Sequence, residues 1–233
     1  MSIKNTEKNK KISQNGDSAL MCSEESDIIE NTKEEKAEGI RRLVVICAST
    51  GGPKALHKVL FYLPDNLNAP MLIVQHMPKG FTESLADRLG KKCGLNVKEA
   101  EDGDKPEKGK VYVAKGGMHM KLTKFRSAYK ISLSDDPPKG GLKPCADLLF
   151  ESIKDISVDE VVCVVLTGMG SDGTAGIVDL SAKKKVYVIA QDEQTSTVFG
   201  MPSSIIKTGI ADEVLPIGKI ADAIVNAVGT FKR

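Results

Sequence analysis

Two rhythms alternate along the chain. Short unbroken apolar runs recur at Leu43–Ala48, Met71–Val74, Val161–Leu166 and Val186–Ala190. Such runs predict strands buried on both faces, as a parallel sheet requires. Between them, apolar positions fall three and four apart. Ala55, Leu56, Val59, Leu60 and Leu63 predict a helix opened by Pro53 and stopped by Pro64. Phe81, Leu85 and Leu89 mark a second helix, and Leu148, Leu149, Phe150 and Ile153 a third. Thr174–Lys184 reads as a fourth. A short helix ends at Thr208 with Gly209 placed to cap it, and Ile220, Ile224, Ala227 and Val228 line a last one over Lys219–Phe231. Asn96–Ala100 reads as a short strand before the turn Asp102-Gly103-Asp104. The middle of the chain differs. Lys110–Ala114, Met118–Leu122 and Tyr129–Ser134 alternate apolar and polar, which predicts an antiparallel hairpin insert. The expected class is α/β: a doubly wound, mainly parallel sheet flanked by helices, with a small antiparallel hairpin insert.

Residues 1–39 follow neither rhythm. They are rich in Lys, Glu, Ser and Asn, with a basic patch at Lys8, Lys10 and Lys11 ahead of an acidic one at Glu24, Glu25, Asp27 and Glu30. Such a segment cannot bury enough apolar surface to offset the entropy of ordering. It is expected to be a disordered charged arm, with a transient helix over Glu30–Glu38 and a role in holding a regulatory protein partner. Residues 40–233 are then the folded domain. The net charge of +2 is spread over both signs and sets up no bulk field toward nucleic acid or a membrane surface. Trp is absent and aromatics are few, which disfavours base stacking. No apolar run approaches the ~18–20 residues of a membrane span, and the N-terminus lacks the apolar core of a signal peptide. The cysteines Cys22, Cys47, Cys93, Cys145 and Cys163 form no CxxC pair. Cys47 and Cys163 lie inside apolar runs and read as buried free thiols of a reducing, cytoplasmic compartment.

Three predicted strands end in groups capable of chemistry: Ser49, His76 and Asp172. The carboxyl ends of neighbouring parallel strands share one sheet edge, so the three side chains can converge there. A serine nucleophile needs a base, and the base needs a carboxylate to hold its tautomer. Each residue also has a plainer reading. Ser49 and Asp172 both suit helix N-caps, and His76 suits a hydrogen-bonded loop. His57 and His119 read as packing or surface residues, and three histidines without ligand spacing argue against a metal site. The competing pattern is Gly168-Met169-Gly170-Ser171-Asp172-Gly173, which matches G-x-G-x-x-G between a strand and a helix, with Asp192 after the next strand. That is a dinucleotide-binding fingerprint, although Asp172 sets a carboxylate where a pyrophosphate would lie. Ser49-Thr50-Gly51-Gly52 lacks the lysine of a phosphate loop.

Five segments together are similar to the catalytic domain of the chemotaxis protein-glutamate methylesterases, the CheB family. They are Ala48-Ser49-Thr50-Gly51-Gly52, Gln75-His76-Met77-Pro78, Glu99-Ala100-Glu101-Asp102-Gly103, Leu166 through Gly173, and Gln191-Asp192-Glu193 with Phe199-Gly200-Met201-Pro202. They run in family order from about Arg42 to about Val228. The resemblance implies Ser49 as nucleophile, His76 as general base and acid, and Asp172 as the orienting carboxylate. Thr50 and Met169 stand beside them, in oxyanion stabilisation through backbone N–H groups or, at Thr50, the side-chain hydroxyl. The implied reaction is hydrolysis of glutamate γ-methyl esters on the cytoplasmic helices of methyl-accepting chemotaxis receptors, releasing methanol. Some members also deamidate receptor glutamines. No cofactor, metal, nucleic acid or membrane insertion is implied. An idle receptor-binding scaffold is the reading of another class. The usual member also carries an N-terminal phospho-receiver domain over the active site. An arm of about 40 residues is too short for a domain of ~100, so control by phosphorylation in the usual way is not expected. Cys47 replaces a common Gly, Lys115 replaces Pro in an Ala-Pro-Gly turn, and Pro144-Cys145-Ala146-Asp147 replaces Pro-Ser-Val-Asp. The last two are expected to alter the substrate groove.

Overall fold

A strand buried on both faces needs helices on both, and the computed structural model, which describes residues 40–232 apart from residue 127, has that arrangement. The expected arm, its transient helix and Cys22 lie outside the described residues. Seven strands form one sheet: β1 (Ile40–Ala48), β2 (Met71–Gln75), β3 (Asn96–Glu99), β4 (Lys110–Val113), β7 (Val158–Val165), β8 (Lys185–Gln191) and β9 (Glu213–Leu215). Their order is β3-β4-β2-β1-β7-β8-β9, and every neighbouring pair is parallel. The remaining two, β5 (His119–Phe125) and β6 (Ala128–Ser134), make an antiparallel hairpin of their own.

Along β1 the alternation of side chains feeds two separate cores. Val44, Ile46 and Ala48 pack with α1 (Gly52–Phe61), α2 (Thr82–Cys93) and α6 (Ile220–Val228). Leu43, Val45 and Cys47 pack with α3 (Ala146–Ile153), α4 (Thr174–Ser181), α5 (Gly200–Lys207) and the hairpin. All six β1 residues are fully buried. Each buried aliphatic side chain contributes roughly 1.5–3 kcal/mol, so this strand is the keel of the domain.

Three expectations need correction. Lys110–Val113 is not part of the insert but a strand of the main sheet, between β2 and β3. Val111 and Val113 enter one core while Tyr112 enters the other, its hydroxyl donating to Lys105 O at 2.6 Å. The tyrosine imitates a polar position while being buried. The expected last helix starts and ends inside Lys219–Phe231, and the three-residue β9 before it carries no alternating signal. Phe81 is exposed at the start of α2 rather than on its buried stripe.

From β1 the chain crosses to β2, and from β7 it crosses to β8 on the other flank. The loops leaving β1 and β7 therefore part, opening a crevice at the carboxyl edge where open α/β sheets bind ligands. Among the described residues, no helix is long and apolar enough to cross a membrane.

Candidate active site

Sheet register decides which loops meet. Ala48 pairs with Gln75 of β2, and Cys47 pairs with Val165 of β7. One residue further, His76 N–H donates to Ala48 O at 3.1 Å and Ser49 N–H donates to Thr167 O at 3.0 Å. Ser49 thus stands between the strand end that carries His76 and the loop that carries Asp172. It is not a helix cap, since α1 is capped by Gly51 with no side-chain hydrogen bond. Gly51 has φ 83°, and a Cβ there would fall 2.5 Å from Thr197 Oγ1, so both the turn and the packing need glycine. Gly52 N–H and Gln75 Nε2 both donate to Ser49 O, at 2.8 and 2.9 Å, and Gln75 also reaches His76 O at 3.2 Å. One buried amide therefore ties the two strand ends together.

Asp172 is also not the cap of its own helix, whose N-cap is Gly173. Its side chain is 3 % exposed and accepts four donors. Oδ2 takes His76 Nε2 at 2.7 Å and Ala146 N–H at 2.6 Å, while Oδ1 takes the Cys145 thiol and Asp147 N–H, each at 3.0 Å. Ala146 and Asp147 form the first turn of α3, whose own cap residue Cys145 makes no capping bond. Asp172 thus supplies the anion that the N-terminus of α3 lacks. Asp147 returns the service. Its Oδ1 accepts Gly173 N–H at 3.0 Å and Gly176 N–H at 2.7 Å at the start of α4. The two carboxylates cap each other's helices.

Burial pushes the Asp172 carboxyl upward, but the imidazole, the two amides and the thiol outweigh it and hold it at about 2. Asp147 lies on the other side of its ordinary value, raised by burial against the pull of the Gly176 amide. An ionised Asp172 is acceptor only, so the His76 nitrogen facing it, Nε2, carries the proton. Nδ1 then keeps its lone pair as a base. Among the described residues, neither His76 Nδ1 nor Ser49 Oγ engages a hydrogen-bond partner, and the N–H groups of Thr50 and Met169 donate to none. Thr50 is exposed in the turn and Met169 is 76 % exposed at the crevice lip. The set offers a hydroxyl, a base with a fixed tautomer and unengaged amides, which is the equipment of acyl transfer.

The G-x-G-x-x-G turn is built for another purpose than phosphate. Gly168 N–H is taken by Val198 O, Gly173 N–H by Asp147 and Thr174 N–H by Ser171 O. A Cβ on Gly168 would meet Met201 Sδ at 2.3 Å and Ser49 Cβ at 2.8 Å, so this glycine lets the β7 loop lie against Ser49. Asp192 is occupied within its own loop by Thr195. His119 is buried, with Nε2 facing Pro137 O at 3.1 Å, and His57 packs near Phe61 on α1.

Sequence reasoning missed the contribution of Cys145. Expected to shape the groove, it lies buried behind Asp172, its thiol pushed up to about 12 by burial and by the hydrogen bond to that carboxylate. Ligand atoms of Cys145, Asp147 and Asp172 lie within 4.8 Å of one another, the spacing of a metal site. A thiol held protonated, and carboxylate oxygens already facing N–H groups, make a hydrogen-bonded cluster instead. Lys115, the other departure, donates to Glu99 at 2.9 Å. Glu99 also takes Thr82 Oγ1, which in turn receives Gly116 N–H, so the Glu99 motif ties Lys115 and Gly116 to the first residue of α2. Cys47 and Cys163 are buried free thiols, as expected, and Cys93 and Cys145 are free as well.

Residues 44–224 match the family model described as CheB methylesterase. A relative from Geobacillus kaustophilus, named protein-glutamate methylesterase/protein-glutamine glutaminase, is 46% identical over 187 residues, covering 80% of this chain and 54% of its own. One of the same name from Bacillus subtilis is 44% identical over 188 residues, covering 81% and 53%. The chain spans about half the length of these curated relatives. The crystal structure of the Thermotoga maritima CheB methylesterase catalytic domain superposes with a TM-score of 0.77 at 41% identity, over 80% of this chain and 98% of that one. The parallel sheet with its hairpin, the family match and these likenesses agree: the chain belongs to the CheB methylesterase family.

Proposed function

We propose that residues 40–233 are a catalytic domain hydrolysing glutamate γ-methyl esters on the cytoplasmic helices of methyl-accepting chemotaxis receptors. The observation that carries this reading is the 2.7 Å contact between His76 Nε2 and Asp172 Oδ2, beside Ser49 at adjoining strand ends of a chain of this family. Ser49 Oγ attacks the ester carbonyl while His76 Nδ1 takes its proton. The resulting imidazolium is stabilised by the Asp172 carboxylate. Negative charge grows on the former carbonyl oxygen, where the Thr50 and Met169 N–H groups receive it, each worth about 3–4 kcal/mol in such a role. Collapse breaks the C–O bond to the methoxy group, which leaves as methanol with the proton from His76. A γ-glutamyl ester of Ser49 remains. Water then attacks it, giving a proton to His76 that passes back to Ser49 Oγ, and glutamate is released. A glutamine side chain enters the same sequence with ammonia as the leaving group, consistent with the double name of the relatives. Residues 1–39 are a charged arm through which a partner protein regulates or tethers the enzyme.

Methanol release from a methylated receptor fragment tests the reading. Ser49→Ala is expected to abolish release with the circular dichroism spectrum unchanged. Release that survives in this variant sinks the nucleophile assignment. Comparing the full chain with one lacking residues 1–39 tests the arm, and equal rates with and without every candidate partner would remove it from regulation.

A further inference from the structure

The helix that leaves the Ser49 turn has an outer face that the chemistry above does not use. α1 buries Ala55, Leu56, Val59 and Leu60 and presents Lys54 and Lys58, one turn apart, to solvent. α2 packs beside it, buries Leu85, Ala86 and Leu89, and exposes Arg88 and Lys92, again one turn apart. Pro53, Lys54, His57, Arg88 and Lys92 line a single depression between the two helices. Lys54 and Lys58 also line a second cleft, together with Gly51, Thr167 and Thr197, which opens on the turn that carries Ser49. Lys54 lines both, so the two join α2 to Gly51, two residues after Ser49.

Most lysines near a carboxylate in this chain are paired, as Lys98, Lys115, Lys121 and Lys154 are. Lys54, Lys58, Arg88 and Lys92 form no ion pair with any described residue. The acids of α2, Glu83 and Asp87, lie roughly a quarter turn or more around the helix from Arg88. Like charges one turn apart on each helix, with no ion pair to a described residue, repel one another in the free protein, and an anionic partner relieves that repulsion. Residues one turn apart on a helix stand about 5–6 Å apart, so two such cation pairs match carboxylates repeated one turn apart on a docking helix.

We propose that Lys54, Lys58, Arg88 and Lys92 form the docking face for an acidic helical protein segment, the part of the substrate that flanks the reacting residue. The proposal rests on the esterase reading. Every ester hydrolysed leaves a glutamate, so a segment with several such positions presents carboxylates beside each remaining ester. The face steers that segment and holds it while the esterified side chain reaches Ser49.

The test uses the full chain and the charge-reversed variant K54E/K58E, with folding checked by circular dichroism. Methanol release is measured on two substrates, a methylated receptor fragment and an uncharged blocked glutamate γ-methyl ester, at about 50 and about 500 mM NaCl. Expected for K54E/K58E is a loss of about tenfold in kcat/KM on the fragment at low salt, carried by KM, shrinking at high salt. Turnover of the small ester should stay at the parent level. Equal losses on both substrates, or none on the fragment, overturn the docking face. Should no protein hydrolyse either ester, the esterase reading fails by itself, and binding decides the present proposal. Ser49→Ala should then still bind an unmethylated fragment, about tenfold more weakly when K54E/K58E is added. Unchanged fragment binding overturns it. So does loss of binding only to phosphatidylserine vesicles, which would assign the face to a membrane.

Discussion

Asp172 and Ser49 stand a few residues from adjoining strands and are held in opposite ways. Both oxygens of Asp172 are engaged, by a thiol, two helix amides and an imidazole. Ser49 is fixed only through its backbone, by Gly52, Gln75 and Thr167, and its hydroxyl answers to no described partner. The difference separates the two tasks. A base must have its proton on the right nitrogen before substrate arrives, and that demands a rigid, fully satisfied carboxylate. A nucleophile must be free to change partners during the reaction. On the proposed mechanism, the orienting half is preorganised and the attacking half is left loose.

Several substitutions would break this contrast. The largest effect falls on the loose half. Ser49→Ala and His76→Ala should each cost about four to six orders of magnitude in kcat, and the double variant scarcely more, since the groups act as a unit. Additive losses in steady-state kinetics would mean that the two residues do not cooperate. Ser49→Ala should melt within a few degrees of the parent, because nothing structural uses its hydroxyl.

Asp172→Asn should cost about 10⁴ in kcat by presenting a donor to His76 and reversing its tautomer. Unlike Ser49→Ala, it should also lower stability. Asp172 is held at about 2 in the folded protein against about 4 in an unfolded chain, so its folded pKa is depressed. The stabilisation it contributes, on the order of 2 kcal/mol, is full above about pH 4 and fades as the pH falls toward 2. Asp147, raised by burial, acts in the opposite direction and blunts the acid limb of the parent. Urea unfolding of parent and Asp172→Asn should therefore show a stability gap at pH 7 that closes near pH 2. A gap independent of pH would show that the charge of Asp172 does not stabilise the fold.

Asp147→Ala sharpens the comparison from behind. It uncaps α4 and should destabilise by about 0.5–2 kcal/mol, with a modest fall in kcat as Asp172 loses its support. Activity unchanged despite lowered stability would uncouple the caps from catalysis. The smallest effect is expected at Cys145. Cys145→Ser keeps a donor to Asp172 and should retain near-parent kcat, whereas Cys145→Ala should lose about two- to fivefold. Equal rates for both variants would remove the thiol from the orienting set.

That Ser49, His76 and Asp172 lie at one sheet edge was legible because each follows an apolar run, and parallel strands bring such ends together. The supports of Asp172 were not. Two of its donors are backbone N–H groups about 25 residues away in sequence, and backbone amides leave no mark on a residue pattern. Cys145 looked like a groove substitution because spacing cannot tell the front of a site from its back. Lys110–Val113 was misread since Tyr112 counts as amphipathic by type yet is buried, and β9 is too short for periodicity to register. Lys54 and Lys58, like Arg88 and Lys92, are four apart in the sequence, which sets each pair one turn apart on a helix. Their isolation from acids emerges only when α1 and α2 are laid side by side.

The reciprocal caps bear on how this family can drift. A domain that loses Asp172 loses a helix terminus along with a tautomer, so such a lineage must repair its fold before it can persist. A domain that loses only the Ser49 hydroxyl keeps every structural contact. Binding-only descendants of this architecture should therefore be found altered at the nucleophile, with the cross-capped carboxylates still in place. On the proposed mechanism, a preserved Asp172 is accordingly a poor witness to activity in a relative, and Ser49 a good one.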